Sequence, residues 1–241
     1  MKILYFSFLK NEKPMLSPEE MKRAAGEYAV QLIQPGSITG IGTGSTVYYF
    51  IHALAKKVKD GLDIKAVVTS RKSGLLAEQL GIAITDLNDV DYIDITIDGA
   101  DEADSQLQLI KGGGGALLQE KMVAAASAKL VIIADRHKMV EKLGRFPLPV
   151  EVIPYGWKQT QRHIANLSCD KIILREKEGN PFITDHGHYI LDCYFEKIEN
   201  APGLAQQLNS IPGVVENGLF INMATAAIIG YEDGTVKMIT K

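Results

Sequence analysis

Cysteine is nearly missing from this chain: Cys169 and Cys193 are the only two in 241 residues, and they form no CxxC pair. That excludes a disulfide scaffold and a cysteine-rich zinc site, and it suits a reducing compartment. Charge of one sign is also lacking. Lys and Arg number 26 against 29 Asp and Glu, a formal net charge of -3. Without a basic field, non-specific nucleic-acid binding through phosphate neutralisation has no basis. No apolar run approaches the roughly 18 residues that span a bilayer. The segment Ile3–Leu9 is apolar, but Lys10-Asn11-Glu12-Lys13-Pro14 follows where a signal peptide would continue. The expectation is a cytoplasmic protein with no membrane and no nucleic-acid partner. Residues 1–16 read as a short N-terminal extension or edge strand.

What is present is ordinary globular material, 46% hydrophobic and 23% charged, so wholesale disorder is excluded. Ser17-Pro18-Glu19-Glu20 is a helix start, with Ser17 as N-cap and Glu20 completing a capping box. Met21, Ala25, Tyr28, Ala29 and Leu32 then recur at helical spacing, until Pro35-Gly36. Strands are expected at Ser37–Ile41, Ile64–Val68, Ile82–Thr85, Ile93–Ile97, Leu107–Ile110 and Leu130–Ala134. Helices are expected between them, at Ser45–Val58, Ser73–Leu80 and Ala116–Ala128. Such alternation argues for an α/β fold, a Rossmann-like open parallel sheet covered on both faces.

The pattern changes after Gly144, where Pro147, Pro149 and Pro154 cluster. Beyond them the chain reads as a helix at Trp157–Leu167, strands at Lys171–Arg175 and Tyr189–Tyr194, and a helix at Leu204–Leu208. Thr225–Ile229 and Thr235–Ile239 could return as strands to the first sheet. The expected organisation is a Rossmann-like domain over 17–144, completed by 222–241, with a smaller α+β domain inserted at 145–221.

Four segments can carry chemistry. Gly40-Ile41-Gly42-Thr43-Gly44-Ser45-Thr46 joins a strand to a helix. Its glycines bring backbone N–H groups close to an anion, its hydroxyls add donors, and the helix start adds partial positive charge. It is no dinucleotide fingerprint and has no Walker lysine. An anion site and a plain strand–helix turn both remain readings of it. Asp98-Gly99-Ala100-Asp101 follows a buried strand, and ligands of open α/β sheets sit beyond the carboxyl ends of strands. Asp98 and Asp101 could both face one cleft and hold sugar hydroxyls or exchange protons; Glu102 and Asp104 read as solvated. Lys111-Gly112-Gly113-Gly114-Gly115 puts four glycines in a row, costly in chain entropy unless a backbone–ligand approach needs them. Glu120-Lys121 follows on the next helix. A Glu and a Lys at one cleft suit an enolisation, with Glu120 taking a proton beside a carbonyl and Lys111 stabilising charge on oxygen; a merely charged helix face is the alternative. Lys138, after the strand 130–134, reads either as a contact to a substrate anion or as a loop lysine. His186 and His188 lack a third ligand at metal spacing, so no metal is expected.

In order and spacing, GTGST at Gly42–Thr46, DGADE at Asp98–Glu102, KGGGGAL at Lys111–Leu117 and EK at Glu120-Lys121 resemble ribose-5-phosphate isomerase, type A. FPLPVEVIP at Phe146–Pro154 and IPGVVENGLF at Ile211–Phe220 are similar to the same family. The resemblance runs from about Ser17 to the C-terminus; residues 1–14 have no counterpart in it, which makes Met15 a candidate native start. It implies interconversion of ribose 5-phosphate and ribulose 5-phosphate, with no metal or organic cofactor, a sugar phosphate as the small-molecule partner, and a homodimer. It also implies that Thr43, Gly44, Ser45 and Thr46 form a substrate loop and that Asp98, Gly99, Ala100 and Asp101 line the sugar site, Asp98 helping ring opening. Lys111, Gly112, Gly113 and Gly114 would contact substrate, Lys111 stabilising the enediolate; Glu120 would be the general base and Lys138 a substrate-binding lysine. Two departures stand out. Gly115 occupies a position where alanine is expected, and Thr69-Ser70-Arg71-Lys72-Ser73 replaces a serine-rich loop, so that Arg71 or Lys72 adds phosphate contacts or only surface charge. A sugar-phosphate sensor and an amino-sugar-phosphate deaminase are the competing readings.

Overall fold

The computed structural model describes residues 15–241, so the reading of Ile3–Leu9 lies outside the described residues. In chain order the helices are α1 (Pro18–Ala29), α2 (Ser45–Lys59), α3 (Arg71–Gln79), α4 (Leu117–Ala125), α5 (Trp157–Ala165) and α6 (Ala201–Asn209). The strands are β1 (Ile38–Ile41), β2 (Lys65–Val68), β3 (Ile95–Asp98), β4 (Glu102–Ala103), β5 (Leu109–Ile110), β6 (Leu130–Asp135), β7 (Leu148–Val152), β8 (Lys171–Leu174), β9 (Glu176–Lys177), β10 (Asn180–Pro181), β11 (Tyr189–Tyr194), β12 (Val214–Asn217), β13 (Leu219–Phe220), β14 (Ala226–Gly230) and β15 (Val236–Thr240).

Six strands form the main sheet in the order β15-β14-β6-β3-β1-β2, all parallel except the edge strand β15. Every residue of β3, β6 and β14 is buried, as a sheet covered on both faces requires. This is the α/β class that the alternation predicted. The capping box forms as read: Glu20 N donates to Ser17 Oγ and Ser17 N donates to Glu20 Oε2. Below it, Met21, Ala25 and Ala29 lie on the buried side of α1, which packs on α2, β6 and β14. Phe50, Ile41, Ile97, Ile133 and Ile228 belong to that core.

Two larger antiparallel sheets and the two-stranded β9-β10 pair complete the described structure. One runs β12-β7-β11-β8 and closes over Val150, Ile164, Leu191 and Leu208; the other, β13-β5-β4, packs through Leu109 and Phe220 against Ile132 and Ile229.

The parallel arrangement decides where chemistry sits. β1, β3 and β6 point the same way, so their carboxyl ends lie on one edge of the sheet. The turns after Ile41, Asp98 and Asp135 therefore meet there, as the rule for open α/β sheets demands.

Several elements differ from expectation. Ile82–Thr85 is no strand; a single bridge joins Ile84 to Ala66 before Asp86 caps a turn of 3-10 helix at 87–89. The strand at 107–110 shrinks to β5, because Leu107 takes a φ of 56° within a turn tied to Asp104. β7 runs through the proline cluster, where the sequence pattern assigns no strand. Pro149 lies opposite Asp192 in the sheet, and its carbonyl accepts from Gly218 N at 2.8 Å.

Candidate active site

The Gly42–Thr46 turn follows β1 and opens α2. Gly44 is the N-cap and supplies no side-chain cap, so the first amides of α2 have neither an intrahelical partner nor a capping oxygen. Together with the helix dipole they favour an anion. Gly42 is fixed by the neighbouring strand: a Cβ there would lie 2.0 Å from Asp98 Oδ1. The Thr43 hydroxyl faces inward, 2.8 Å from both Thr69 Oγ1 and Ser70 Oγ, and Ser73 Oγ donates to Gly42 O at 2.7 Å. Thr69, Ser70 and Ser73 thus brace the turn. From the sequence only Arg71 and Lys72 of this loop carry weight, and the three hydroxyls have no assigned part, although they follow the end of β2 on the same sheet edge.

Beneath the turn lies a buried charged triad. Lys111, 2% exposed, places its Nζ 2.9 Å from Asp98 Oδ2 and 3.2 Å from Glu120 Oε1, and donates to Gly99 O at 2.5 Å. Burial pulls its ammonium down, but Asp98 and then Glu120 pull it up by more, so the lysine stays charged, above its ordinary value. Glu120 is 4% exposed. Burial raises its carboxyl most, the Lys111 ammonium opposes that, and the Asp98 charge adds to it; the balance lies at about 8. Its Oε2 is buried and has no hydrogen-bond partner among the described residues. A carboxylate held near neutrality with one oxygen uncommitted is what proton transfer at carbon requires.

Thr43, Gly44, Ser45, Thr46, Gly99, Ala100, Asp101, Lys111, Gly112, Gly113, Gly114, Glu120 and Lys138 line a single narrow cleft of about 90 Å³. Of the residues that the resemblance assigns to the site, only Asp98 is not in the lining. It is fully buried under the floor, where Oδ1 accepts from Thr43 N at 3.0 Å and Gly99 N at 2.7 Å while Oδ2 faces Lys111. The expectation that both aspartates face the cleft is corrected: the N–H groups of the turn and the lysine take up Asp98, and only Asp101 reaches the ligand side. Asp101 Oδ2 accepts from Gly113 N at 2.7 Å.

One further reading changes, and two neighbouring side chains find their places. Glu102 is not solvated; it is 1% exposed and accepts from Gly144 N and Phe146 N at 2.8 and 2.7 Å. Arg71 does not reach the cleft, because its backbone N and its guanidinium both bind Asp185, and Lys72 is exposed. Lys121 points away from Glu120, donating to Glu216 and to Asn217 O. Gly115 is also explained. Its φ is +81° and a Cβ would lie 2.5 Å from the Phe182 ring, so an alanine here would require the ring to move.

A larger space, about 470 Å³, lies by α4 between Val67, Ile84 and Val123. It contains no charged triad, so size alone does not choose the site.

An open parallel sheet that delivers an anion-binding turn and a buried carboxylate–lysine pair to one cleft defines an acid–base enzyme for a small anionic substrate. The comparisons make this specific. The family model for ribose 5-phosphate isomerase A (phosphoriboisomerase A) matches residues 65–234. The chain is 53% identical over 215 residues to the ribose-5-phosphate isomerase A of Bacillus mycoides, covering 89% of this chain and 97% of that one. It is 50% identical to that of Parvibaculum lavamentivorans over 226 residues, 91% and 98% of the two chains. A solved D-ribose-5-phosphate isomerase in complex with phospho-erythronic acid superposes with a TM-score of 0.91 at 39% identity, covering 94% of this chain and all of that one. The Plasmodium falciparum ribose 5-phosphate isomerase gives 0.90 at 36% identity, with 92% and 99% covered. The chain belongs to the ribose-5-phosphate isomerase A family.

Proposed function

We propose that this protein interconverts D-ribose 5-phosphate and D-ribulose 5-phosphate through an enediolate, with Glu120 as the base. One observation carries the assignment of roles: Glu120 lines the cleft with its Oε2 unpartnered while Oε1 faces the Lys111 ammonium. In the forward direction Glu120 takes the proton from C2 of the open-chain aldose. The C–H electrons form the C1=C2 bond and the carbonyl electrons move to O1. The Lys111 ammonium lies beside that oxygen and stabilises its charge. Glu120 then returns the proton to C1, and the O2 hydroxyl passes its proton to O1 as the C2 carbonyl forms, leaving a C1 hydroxyl. The amides of Ser45 and Thr46, their hydroxyls and Lys138 hold the phosphate, and Asp101 holds sugar hydroxyls. Asp98 keeps Lys111 charged and in place. A phosphorylated hydroxy acid such as the one bound by the solved relative offers phosphate, hydroxyl and oxyanion groups in the same order as the enediolate.

The same proposal includes a cytoplasmic homodimer in which residues 145–221 are a domain inserted into the Rossmann-like one. Among the described residues no helix is long and apolar enough to cross a membrane. The test is conversion of ribose 5-phosphate by the purified chain, followed as ketose formation, with glucosamine 6-phosphate in a parallel reaction. Ribulose 5-phosphate formation is expected. Ammonia release from the amino sugar with no pentose conversion would replace the isomerase by a deaminase, and binding without turnover would make the protein a sensor.

A further inference from the structure

No residue of the four-stranded antiparallel sheet lines the cleft, yet one side chain at its edge reaches the glycine-rich turn. Arg175 follows β8. Its Nε and Nη2 donate to Asp192 Oδ2 and Oδ1 at 2.9 and 2.5 Å, a two-pronged pairing that fixes the plane of the guanidinium. The remaining prong, Nη1, donates to Gly112 O at 2.9 Å and Gly113 O at 3.2 Å. Both partners of the pair are mostly buried, with side chains 15% and 16% exposed.

The peptide unit between Gly112 and Gly113 is held at both ends. Its carbonyl faces Arg175, and its N–H donates to Asp101 Oδ2 at 2.7 Å. A peptide dipole therefore stands between a guanidinium and a carboxylate in the favourable sense. The unit is flanked by glycines, which oppose its rotation only weakly. Without the guanidinium, rotation would withdraw the N–H from Asp101 and turn a carbonyl oxygen toward it.

We propose that Arg175, clamped by Asp192, is a positioning residue for the isomerisation: it locks the Gly112–Gly113 peptide and, through it, the orientation of Asp101 in the cleft. The inference rests on the isomerase reading and extends it to a residue that touches no substrate. It also gives the antiparallel sheet a part in the chemistry. Lysine cannot replace this arginine, because an ammonium cannot grip both carboxylate oxygens and reach two carbonyls in one plane.

The decisive experiment is a double-mutant cycle of Arg175→Ala with Asp101→Asn, read as kcat/KM for ribose 5-phosphate, with thermal unfolding of each variant. Arg175→Ala is expected to lose roughly 10- to 100-fold, the size of effect seen when a group is misplaced rather than removed. In the Asp101→Asn background the same change should cost less than about threefold, since coupled residues are non-additive. Arg175→Lys should stay impaired, and added methylguanidinium should restore part of the Arg175→Ala activity. Equal losses in both backgrounds would overturn the proposal, because a general structural role predicts additivity; so would an Arg175→Ala variant within twofold of wild type. If Arg175→Ala does not fold, the same cycle run with the near-isosteric Asp192→Asn decides. Wild-type turnover of ribose 5-phosphate is measured alongside. Its absence would defeat the isomerase reading, whereas its presence with an additive cycle defeats only the role of Arg175.

Discussion

Replacing Glu120 by glutamine tests the chemistry most directly. The change keeps shape and volume and removes only the ionisable oxygen. Its size can be bounded from what remains in the cleft. The other lining carboxylate, Asp101, already has Oδ2 engaged by Gly113 N, and Asp98 is buried beneath the floor and faces Lys111. No second base stands ready. General-base catalysis is typically worth about 10²–10⁴-fold, so kcat should fall at least ~100-fold, about 2.7 kcal/mol of transition-state stabilisation. KM should change little, because phosphate recognition is assigned to Ser45, Thr46 and Lys138. Folding should survive, since Lys111 keeps Asp98 at 2.9 Å and the Gly99 carbonyl at 2.5 Å. Stability should in fact move the other way. The Glu120 carboxyl stands at about 8 in the folded protein against an ordinary 4.5. A group raised in this way favours the folded state fully below 4.5, and that benefit declines as pH rises through 8. Glutamine cannot ionise, so the melting temperature of the variant should gain on wild type over that same window. Steady-state kinetics and pH-resolved thermal melts are the assays. A variant that turns over within tenfold of wild type refutes Glu120 as base. A melting difference that shrinks as pH rises refutes the burial argument.

Other expectations follow from the same geometry. The acidic limb of wild-type kcat/KM should be set by Glu120, with activity rising as pH increases and an apparent value displaced well above the usual carboxylate range; a limb near 4.5 would contradict the buried-base picture. Lys111→Met leaves Asp98 and Glu120 buried without their cation, so chemical unfolding should show a loss of roughly 3–5 kcal/mol along with loss of turnover. Wild-type stability in that variant would mean the triad contributes nothing to folding. Gly42→Ala would press a methyl to 2.0 Å from Asp98 Oδ1, and should lower both melting temperature and activity; an unaltered variant would show that turn and aspartate can separate freely.

The sequence revealed more of the site than of the fold. Gly42–Thr46, Asp98–Asp101, Lys111–Gly114, Glu120 and Lys138 all stand out as candidates, because glycines and charged groups at strand ends leave local signals that need no tertiary knowledge; their roles come only with the family resemblance. What stayed hidden was direction. Nothing in DGAD says that Asp98 turns inward while Asp101 turns out; that follows from β1 lying beside β3, which brings Thr43 N within reach of one carboxylate and not the other. Glu102 was misread for the same reason, since its partners, Gly144 and Phe146, lie more than 40 positions away. β7 was hidden by its prolines, and Arg175 by the absence of any local pattern: its partners are 17 residues ahead and more than 60 behind.

The inward turn of these carboxylates also resolves an apparent contradiction between net charge and substrate. A chain of net charge -3 is proposed to gather a phosphorylated sugar, so long-range attraction cannot assist. At the cleft, however, much of the negative charge is already committed. Asp98 is taken up by Thr43 N, Gly99 N and Lys111, and Glu102 by Gly144 N and Phe146 N. Beside Asp101 and Glu120, the described structure turns toward a ligand the uncapped start of α2 and Lys138, which makes no ion pair among the described residues. Recognition is then short-range. If that is right, raising ionic strength should weaken binding far less than removing Lys138 does. A steep salt dependence of kcat/KM in wild type would instead indicate a steering field that neither the charge balance nor the cleft lining provides.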